Sequence, residues 1–200
     1  MNITKTDMWV TPVWEIQTDF DISFNNELLN EIAAQKSTQK NSFNFNVWNF
    51  NSKRIQELRE YTLKVIKDVT YDYISPNYVD FEFWHTRGWI NYNQPGHGMP
   101  IHGHGGPKIA MTYYVKAPEN CGDLLLIDPR GGVDWDSGND GVNGTKFNRI
   151  KAQEGKLVFF PGFVLHMVEE NKSTAPRISL TSNLGTFDKS TIEVLKNTIL

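Results

Sequence analysis

The chain has 200 residues, a formal net charge of −3 at pH 7 and a single cysteine, Cys121. This length suits one domain with a sizeable core, the weakly acidic charge disfavours nucleic acid as a partner, and one thiol excludes an intramolecular disulfide and fits a reducing compartment. No apolar run reaches the roughly 18–20 residues that cross a bilayer, and the first residues lack the apolar stretch of a signal peptide, so we expect a cytoplasmic protein without a membrane partner.

The first 80 residues predict one strand and two helices. Residues 9–16 are aromatic and β-branched with Pro12 among them, which is typical of an edge strand. Ser23 suits the N-cap of a helix over residues 24–36, where apolar residues recur at helical spacing. A second apolar stripe predicts a helix over 52–69. We expect these elements to pack on the outside of a sheet.

From Phe81 onwards, short apolar or alternating runs are separated by Gly, Pro, Asn and Asp, a pattern that predicts an antiparallel jelly roll. The candidate strands cover residues 83–93, 108–115, 123–127, 156–160 and 177–184. Ser190 and Glu193 then have capping-box spacing, which predicts a short closing helix. The expected fold class is mainly β with flanking helices, a cupin-like double-stranded β-helix. We expect one domain over 1–200, in which residues 1–80 pack on a core formed by 81–187.

A long polar loop separates the third and fourth of these candidate strands. Residues 134–144 contain several carboxylates, but Gly138 stands where a calcium-binding loop needs a ligand, which disfavours a calcium site. The whole stretch 131–144 is glycine-rich and polar. Such a composition suits a mobile lid.

The five histidines are unevenly distributed, since four lie between His85 and His104 and the fifth is His166. His102 and His104 stand among glycines and prolines that keep the backbone close and the imidazoles accessible. Side chains two residues apart at a strand end can converge on one ion, and a third ligand from a distant strand leaves the open positions that a catalytic metal needs. The spacing therefore favours a metal site, whereas His85 and His97 are expected to be ordinary polar residues on a strand.

An inward-facing cation is predicted near the end of the chain. Alternation places Arg177, Ser179 and Thr181 on one face of their strand, and an arginine that points into a small barrel needs an anion. A guanidinium binds a carboxylate through two parallel hydrogen bonds, to which Ser179 can add a third. The alternative is that Arg177 pairs with a protein carboxylate at the surface.

Several motifs follow one another between about residue 84 and residue 184. His102-Gly-His104 is followed by Tyr113-Tyr114-Val115, by a strand that begins at Gly155 and reads GKLVFFP, by His166, and by Arg177-Ile-Ser179. This order resembles the 2-oxoglutarate and Fe(II)-dependent oxygenases, above all their prolyl-4-hydroxylase-like branch and the oxygenases of bacteria and bacteriophages. The resemblance implies Fe(II) and 2-oxoglutarate as cofactors and molecular oxygen as a partner. A phage-encoded protein would act in the host cytoplasm.

The resemblance also implies a role for each matching residue. The three iron ligands would be His102, His104 and His166. The residues that bind the cosubstrate or line the iron pocket would be Arg177, Ser179, Tyr114 and Tyr92, with Asn183 and Tyr113 as further pocket residues.

One position departs from the family pattern, because the middle iron ligand is usually Asp or Glu and this chain has His104. Three neutral imidazoles leave the full +2 charge on Fe(II), which is expected to favour an anionic cosubstrate and to change the reactivity towards oxygen. Asp128, a chloride ion or a water molecule could complete the coordination instead. We favour His104, since Asp128 and Arg130 are expected to form an ion pair at a strand end.

These features predict a dioxygenase that hydroxylates an unactivated C–H bond of a peptide, an amino acid or a small metabolite and releases succinate and CO2. One alternative is a cupin-like three-histidine iron dioxygenase without 2-oxoglutarate, which would not need Arg177 and Ser179 in the cavity. Another is a non-catalytic jelly-roll binding module with its histidines on the surface. Trp84, Trp89 and Trp135 are candidates for the pocket mouth, although we expect core packing for Trp89.

Overall fold

A computed structural model of the protein describes residues 3–4, 10–38, 46–74, 81–130 and 147–199. The expectations for the polar loop, both the disfavoured calcium site over 134–144 and the lid over 131–144, lie outside these ranges. The same holds for Trp135.

Within the described residues the chain forms nine strands, three α-helices and one short 3-10 helix. The strands are β1 (Trp14–Gln17), β2 (Phe81–Asn93), β3 (Met99–His102), β4 (Ile109–Lys116), β5 (Leu124–Ile127), β6 (Phe147–Ile150), β7 (Lys156–Pro161), β8 (His166–Val168) and β9 (Arg177–Asp188). The helices are α1 (Ile22–Thr38), α2 (Lys53–Ile74) and α3 (Lys189–Ile199), with the 3-10 helix at Val47–Asn49. No helix in the described ranges is long and apolar enough to span a membrane.

The strands form two antiparallel sheets, a larger one in the order β1-β7-β4-β9-β2 and a smaller one in the order β3-β8-β5-β6. This is the expected jelly roll with flanking helices. The first strand lies at an edge of the larger sheet, as expected, although it begins at Trp14 and Pro12 precedes it.

The two faces of the larger sheet belong to two different cores. One face packs against the helices, where Leu28, Ile55 and Leu58 meet Tyr113 of β4. The other face looks towards the smaller sheet, and there Tyr114, the next residue, packs with residues of β5 and β7. Because successive side chains of a strand point to opposite faces, neighbouring residues of β4 serve different cores.

The helix ends differ in detail from the prediction. Helix α1 begins at Ile22, and its cap is Asp21, whose Oδ1 accepts hydrogen bonds from the Phe24 amide (2.8 Å) and from the Ser23 hydroxyl (2.7 Å). At α3 Asp188 caps in the same way, accepting from the Thr191 amide at 2.8 Å, whereas Ser190 had been expected there. A carboxylate competes well for the free amides of a first turn, so these two caps lie two residues earlier than predicted.

Three strands were not predicted from the sequence, namely β3, β6 and β8. Each has only three or four residues, and β3 contains Pro100 and ends at a histidine. Such short segments show no period of their own. They become strands because the smaller sheet pairs them, with β8 between β3 and β5.

Candidate functional site

A cavity of about 60 Å³ lies between the two sheets. The larger sheet contributes residues of β2, β4 and β9 to its walls, and the smaller sheet contributes residues of β3, β5 and β8. Apolar groups such as Leu124 and Val168 alternate there with histidines, hydroxyls and a guanidinium. This mixed lining of apolar and polar groups suits a small ligand and a metal ion.

Three histidines that line this cavity lie close together, as the sequence predicted. His102 ends β3, His166 begins β8, and the two are cross-strand partners, while His104 lies in the loop after β3. One ligand atom from each of the three lies within 4.8 Å of the others, and the Nε2 atoms of His104 and His166 are 3.2 Å apart. The predicted doublet and the distant third histidine therefore form a cluster with the donor set of a metal site.

Two of these imidazoles are fixed by backbone carbonyls. The Nδ1–H of His102 donates to the Pro100 carbonyl at 2.8 Å, and the Nδ1–H of His166 donates to the Val164 carbonyl at 3.0 Å. A carbonyl only accepts, so Nδ1 must be the protonated nitrogen in each ring. The lone pairs of both Nε2 atoms are left for a metal.

Burial keeps the cluster ready to bind a cation. It lowers the pKa of His166 to about 4 and lowers the pKa of His104 as well, and in both cases the neighbouring histidines act in the same direction. These two imidazoles are therefore neutral near pH 7. A metal need not displace their protons.

Arg177 lines the same cavity and is only 2 % exposed. Its guanidinium donates to the Asn93 side-chain oxygen (2.9 Å) and to the Gly122 carbonyl (3.0 Å), while its Nε has no hydrogen-bond partner in the described structure. The ion pairs among the described residues do not include Arg177, so the predicted alternative of a surface pair is not seen there. Burial without an anion lowers the pKa of Arg177. A buried cation held only by neutral groups calls for an anionic ligand.

Ser179 and Tyr114 line the same cavity next to Arg177, as expected. Both side chains are buried. Burial raises the pKa of Tyr114, although the nearby Arg177 opposes the shift. The phenol therefore keeps its proton near neutral pH and can donate it to a carboxylate.

Three other expected pocket residues lie outside this cavity, which corrects the prediction. Tyr92 and Tyr113 face the helices, where Tyr113 donates its hydroxyl to the Asn25 oxygen at 2.7 Å. Their neighbours Asn93 and Tyr114 face the cavity. Because adjacent residues of a strand point to opposite faces, only one residue of each pair can line it. Asn183 lies farther along β9 and lines a separate surface groove beside Gly105 and Gly106.

Several cavity residues were not predicted from the sequence, and three of them belong to β2. Trp89, Asn91 and Asn93 point inward from that strand, and Asn91 donates to the Thr181 hydroxyl of β9 at 2.8 Å. Their i, i+2 spacing was a usable signal. Asparagine is a weak marker by itself, however, and core packing had been expected for Trp89.

The remaining candidates lie elsewhere. Trp84 is buried under the guanidinium of Arg59, which lies 4.3 Å from the ring centroid. His85 is a buried strand residue, as expected, whereas His97 is exposed in the turn after β2. Asp128 accepts a hydrogen bond from the Nε of Arg130 at 2.9 Å, which confirms the expected ion pair, and it is not part of the histidine cluster.

Residues 87–183 match the model of a family described as "Putative 2OG-Fe(II) oxygenase". This range contains the three clustered histidines, Arg177, Ser179 and Tyr114. No curated protein matches the chain.

Two solved structures share the fold at low sequence identity. A prolyl-4-hydroxylase from Pseudomonas putida is 13% identical, with a TM-score of 0.56 over 86% of this chain and 85% of that one. The non-heme alpha ketoglutarate dependent epimerase SnoN from nogalamycin biosynthesis is also 13% identical, with a TM-score of 0.63 over 88% of this chain and 76% of that one. At such identity the likeness shows the jelly-roll fold alone.

Proposed function

We propose that this chain is a 2-oxoglutarate and Fe(II)-dependent oxygenase that hydroxylates an unactivated C–H bond of a peptide, an amino acid or another small metabolite. The family match supports the resemblance drawn from the sequence, and with it an oxidoreductase that uses iron and 2-oxoglutarate. One observation carries the residue-level proposal. A three-histidine cluster and a buried arginine without a carboxylate partner lie in a single cavity.

The residues present fit a ferrous ion. Three imidazoles converge on one face, two of them with their Nε2 lone pairs directed by backbone hydrogen bonds, and this leaves other coordination positions open. His102, His104 and His166 would hold the metal. When bound, iron together with 2-oxoglutarate and dioxygen supplies the oxidising power for the C–H bond, with succinate and CO2 as by-products.

The cavity lining around Arg177 fits the cosubstrate's distal carboxylate. Arg177 would bind it as a cation, with the hydroxyls of Tyr114 and Ser179 as neutral donors beside it. Asn93 and the Gly122 carbonyl orient the guanidinium without neutralising its charge. Their task is to keep the arginine in one position while its charge remains available to the ligand.

The cavity geometry supports this proposal over the two alternatives. A three-histidine dioxygenase that uses no 2-oxo acid has no need of a buried, unpaired arginine in the same cavity as its metal. A binding module with surface histidines would not need the buried His166 or the directed lone pairs. The single cysteine, which is free and buried, further supports the expected reducing compartment.

An anaerobic titration of the metal-free protein with Fe(II) and then 2-oxoglutarate tests the proposal. We expect a visible charge-transfer band from the iron chelate in the wild-type protein. The Arg177→Gln variant should still bind Fe(II) but need far more 2-oxoglutarate to develop the band. Absence of any band in folded wild-type protein would remove the assignment of these residues.

Substrate class is tested by coupling succinate release to mass spectrometry. Candidate peptides, free amino acids and small metabolites are supplied separately with Fe(II), 2-oxoglutarate and oxygen. A true substrate should gain one oxygen atom in step with succinate formation. A substrate that loses hydrogen without gaining oxygen would contradict hydroxylation while leaving the oxygenase assignment intact.

A further inference from the structure

We infer that Trp89 is a positioning residue for the metal site, because its indole ring packs against the imidazole of His104, which no backbone group among the described residues holds by a hydrogen bond. This inference rests on the proposed function, since it concerns how the third histidine is presented to the metal. Trp89 touches neither the iron nor the cosubstrate in this role. It acts through His104.

The three histidines are not fixed in the same way. His102 and His166 each donate Nδ1–H to a carbonyl two residues earlier in the chain. In the part of the chain that the structure describes, the hydrogen bond of His104 is the 3.2 Å contact between its Nε2 and that of His166. A bound metal would use both of those nitrogens. His104 would then keep no hydrogen bond to orient its ring.

The backbone around His104 supplies little restraint. Gly103 precedes it, and Gly105 and Gly106 follow it, the last with a φ of +94°. A Cβ at Gly105 or Gly106 would meet nothing within 4 Å. Glycines without close neighbours leave the chain many conformations, so the direction of the His104 ring must come from what the ring packs against.

Aromatic contacts provide that direction. The His104 ring lies 5.5 Å from the indole of Trp89, at an interplanar angle of 34°. On His166 it stacks at 5.0 Å with an angle of only 13°. Two planar neighbours therefore define the plane of the His104 ring, a restraint of the kind that a hydrogen bond provides for the other two imidazoles.

Trp89 is well placed for this task because its own backbone is fixed. It lies in the thirteen-residue strand β2 and pairs with Thr181 of β9. His104, in contrast, belongs to a loop. A ligand on a loop is held more accurately when a side chain from a rigid strand packs against it.

Three variants test the inference: Trp89→Leu, Trp89→Phe and, as a matched control, Trp14→Leu. Trp14 is also a partly buried tryptophan of the larger sheet, but its ring contact is Tyr73 and it does not line the cavity. Co(II) is the probe, because both its affinity and its visible spectrum report the ligand set without any turnover. Calorimetry and absorption are measured on folded protein under argon.

We expect Trp89→Leu to weaken Co(II) binding about 10-fold, the usual effect of losing a group that orients a metal ligand. Its Co(II) spectrum should shift as His104 leaves the coordination sphere. Trp89→Phe keeps a planar ring and should recover most of the affinity. Trp14→Leu should bind Co(II) like the wild-type protein.

A double-mutant cycle separates positioning from general structural damage. In a His104→Ala background, Trp89→Leu and Trp89→Phe should cause no further loss of Co(II) affinity, because the imidazole that Trp89 orients is absent. An equal loss in both backgrounds would overturn the inference. So would a Trp89→Leu protein that binds Co(II) as tightly as the wild type, with the same spectrum.

Two results need separate interpretation. If Trp89→Leu does not fold, the cycle is carried out with Trp89→Met, and an equal loss of Co(II) affinity in the wild-type and His104→Ala backgrounds would overturn the inference. Wild-type protein that binds no Co(II) would overturn the proposed metal site together with this inference. Wild-type binding with unaffected Trp89 variants would overturn only the role of Trp89.

Discussion

The two faces of the larger sheet both bury polar groups, but they satisfy them differently. On the helix-facing side, His85 has both ring nitrogens bonded, to Thr62 Oγ1 at 2.9 Å and to Ser182 Oγ at 2.8 Å, and Ser182 also accepts from the Trp48 indole at 2.9 Å. On the cavity-facing side, the Nε of Arg177 has no partner among the described residues, and one ligand atom from each of three imidazoles lies within 4.8 Å of the others. Complete pairing stabilises a fold, whereas incomplete pairing reserves groups for a ligand.

This difference predicts that substitutions on the two faces have separable effects. The largest is expected on the cavity side. Arg177→Gln should weaken 2-oxoglutarate binding by about 100-fold or more, since losing one member of a buried charge pair costs about 2–5 kcal/mol. Its thermal stability should change little, because the desolvation penalty of the cation is lost along with two hydrogen bonds.

Anaerobic 2-oxoglutarate titration and thermal unfolding of the same preparations measure these two effects. Arg149→Gln is the matched control, since Arg149 forms a surface ion pair with Glu169 and lies outside the cavity. It should bind 2-oxoglutarate normally. If Arg177→Gln also binds normally, the cavity side has no reserved cation and the comparison of the two faces fails.

On the helix side we expect the opposite result from His85→Leu. The substitution removes the imidazole that contacts both Thr62 Oγ1 and Ser182 Oγ, and the free energy of unfolding should fall by about 2–3 kcal/mol. Urea denaturation measures this loss, and Co(II) calorimetry on the folded fraction should show unchanged affinity. His97→Leu, at an exposed histidine, should alter neither property. A loss of Co(II) affinity in folded His85→Leu would show that the two faces are coupled.

The pH dependence of stability sharpens the same comparison. Burial, with a smaller contribution from Arg59, holds the pKa of His85 well below its usual value of 6.5. Below about pH 6.5 the unfolded chain therefore binds a proton that the folded His85 does not, and the free energy of unfolding decreases as the pH falls, by about 1.4 kcal/mol per pH unit from this residue. The lowered pKa values of His104 and His166 change the stability in the same direction, so the test compares the wild-type protein with a His85 variant. The slope of metal-free His85→Leu between about pH 6.5 and 5 should be shallower than that of the wild-type protein by this amount. Equal slopes would mean that His85 also titrates normally in the folded state.

The smallest effects are expected from two adjacent tyrosines, which form the most closely matched pair. Tyr113→Phe removes the hydrogen bond to Asn25 and should lower stability by about 1 kcal/mol without affecting 2-oxoglutarate. Tyr114→Phe removes a donor that faces the cavity and should weaken 2-oxoglutarate binding several-fold with little change in stability. Urea denaturation and 2-oxoglutarate titration of both variants distinguish the two faces of β4 at adjacent positions. If Tyr113→Phe weakens 2-oxoglutarate binding and Tyr114→Phe does not, the assignment of Tyr114 to the cavity is wrong.

Strand alternation explains which site residues were predictable. Arg177 and Ser179 could be placed on one face because β9 is long and regular. The spacing of the histidines predicted the metal cluster. For Tyr92 and Tyr113 the correct faces follow only when the inward positions of β2 and β4 are known. Short strands such as β3 and β8 were not recognisable, although they hold His102 and His166.

By itself the sequence determined the jelly roll, the three histidines and the inward arginine, because side-chain type and spacing along a strand are local properties. Only the tertiary structure decided which nitrogens are held by carbonyls, that Asn93 and Gly122 bind Arg177 without neutralising it, and that Trp89 packs on His104. These contacts join residues far apart in the chain. Their partners depend on sheet pairing, which brings β2, β3, β8 and β9 to one cavity and has no signature in any single segment.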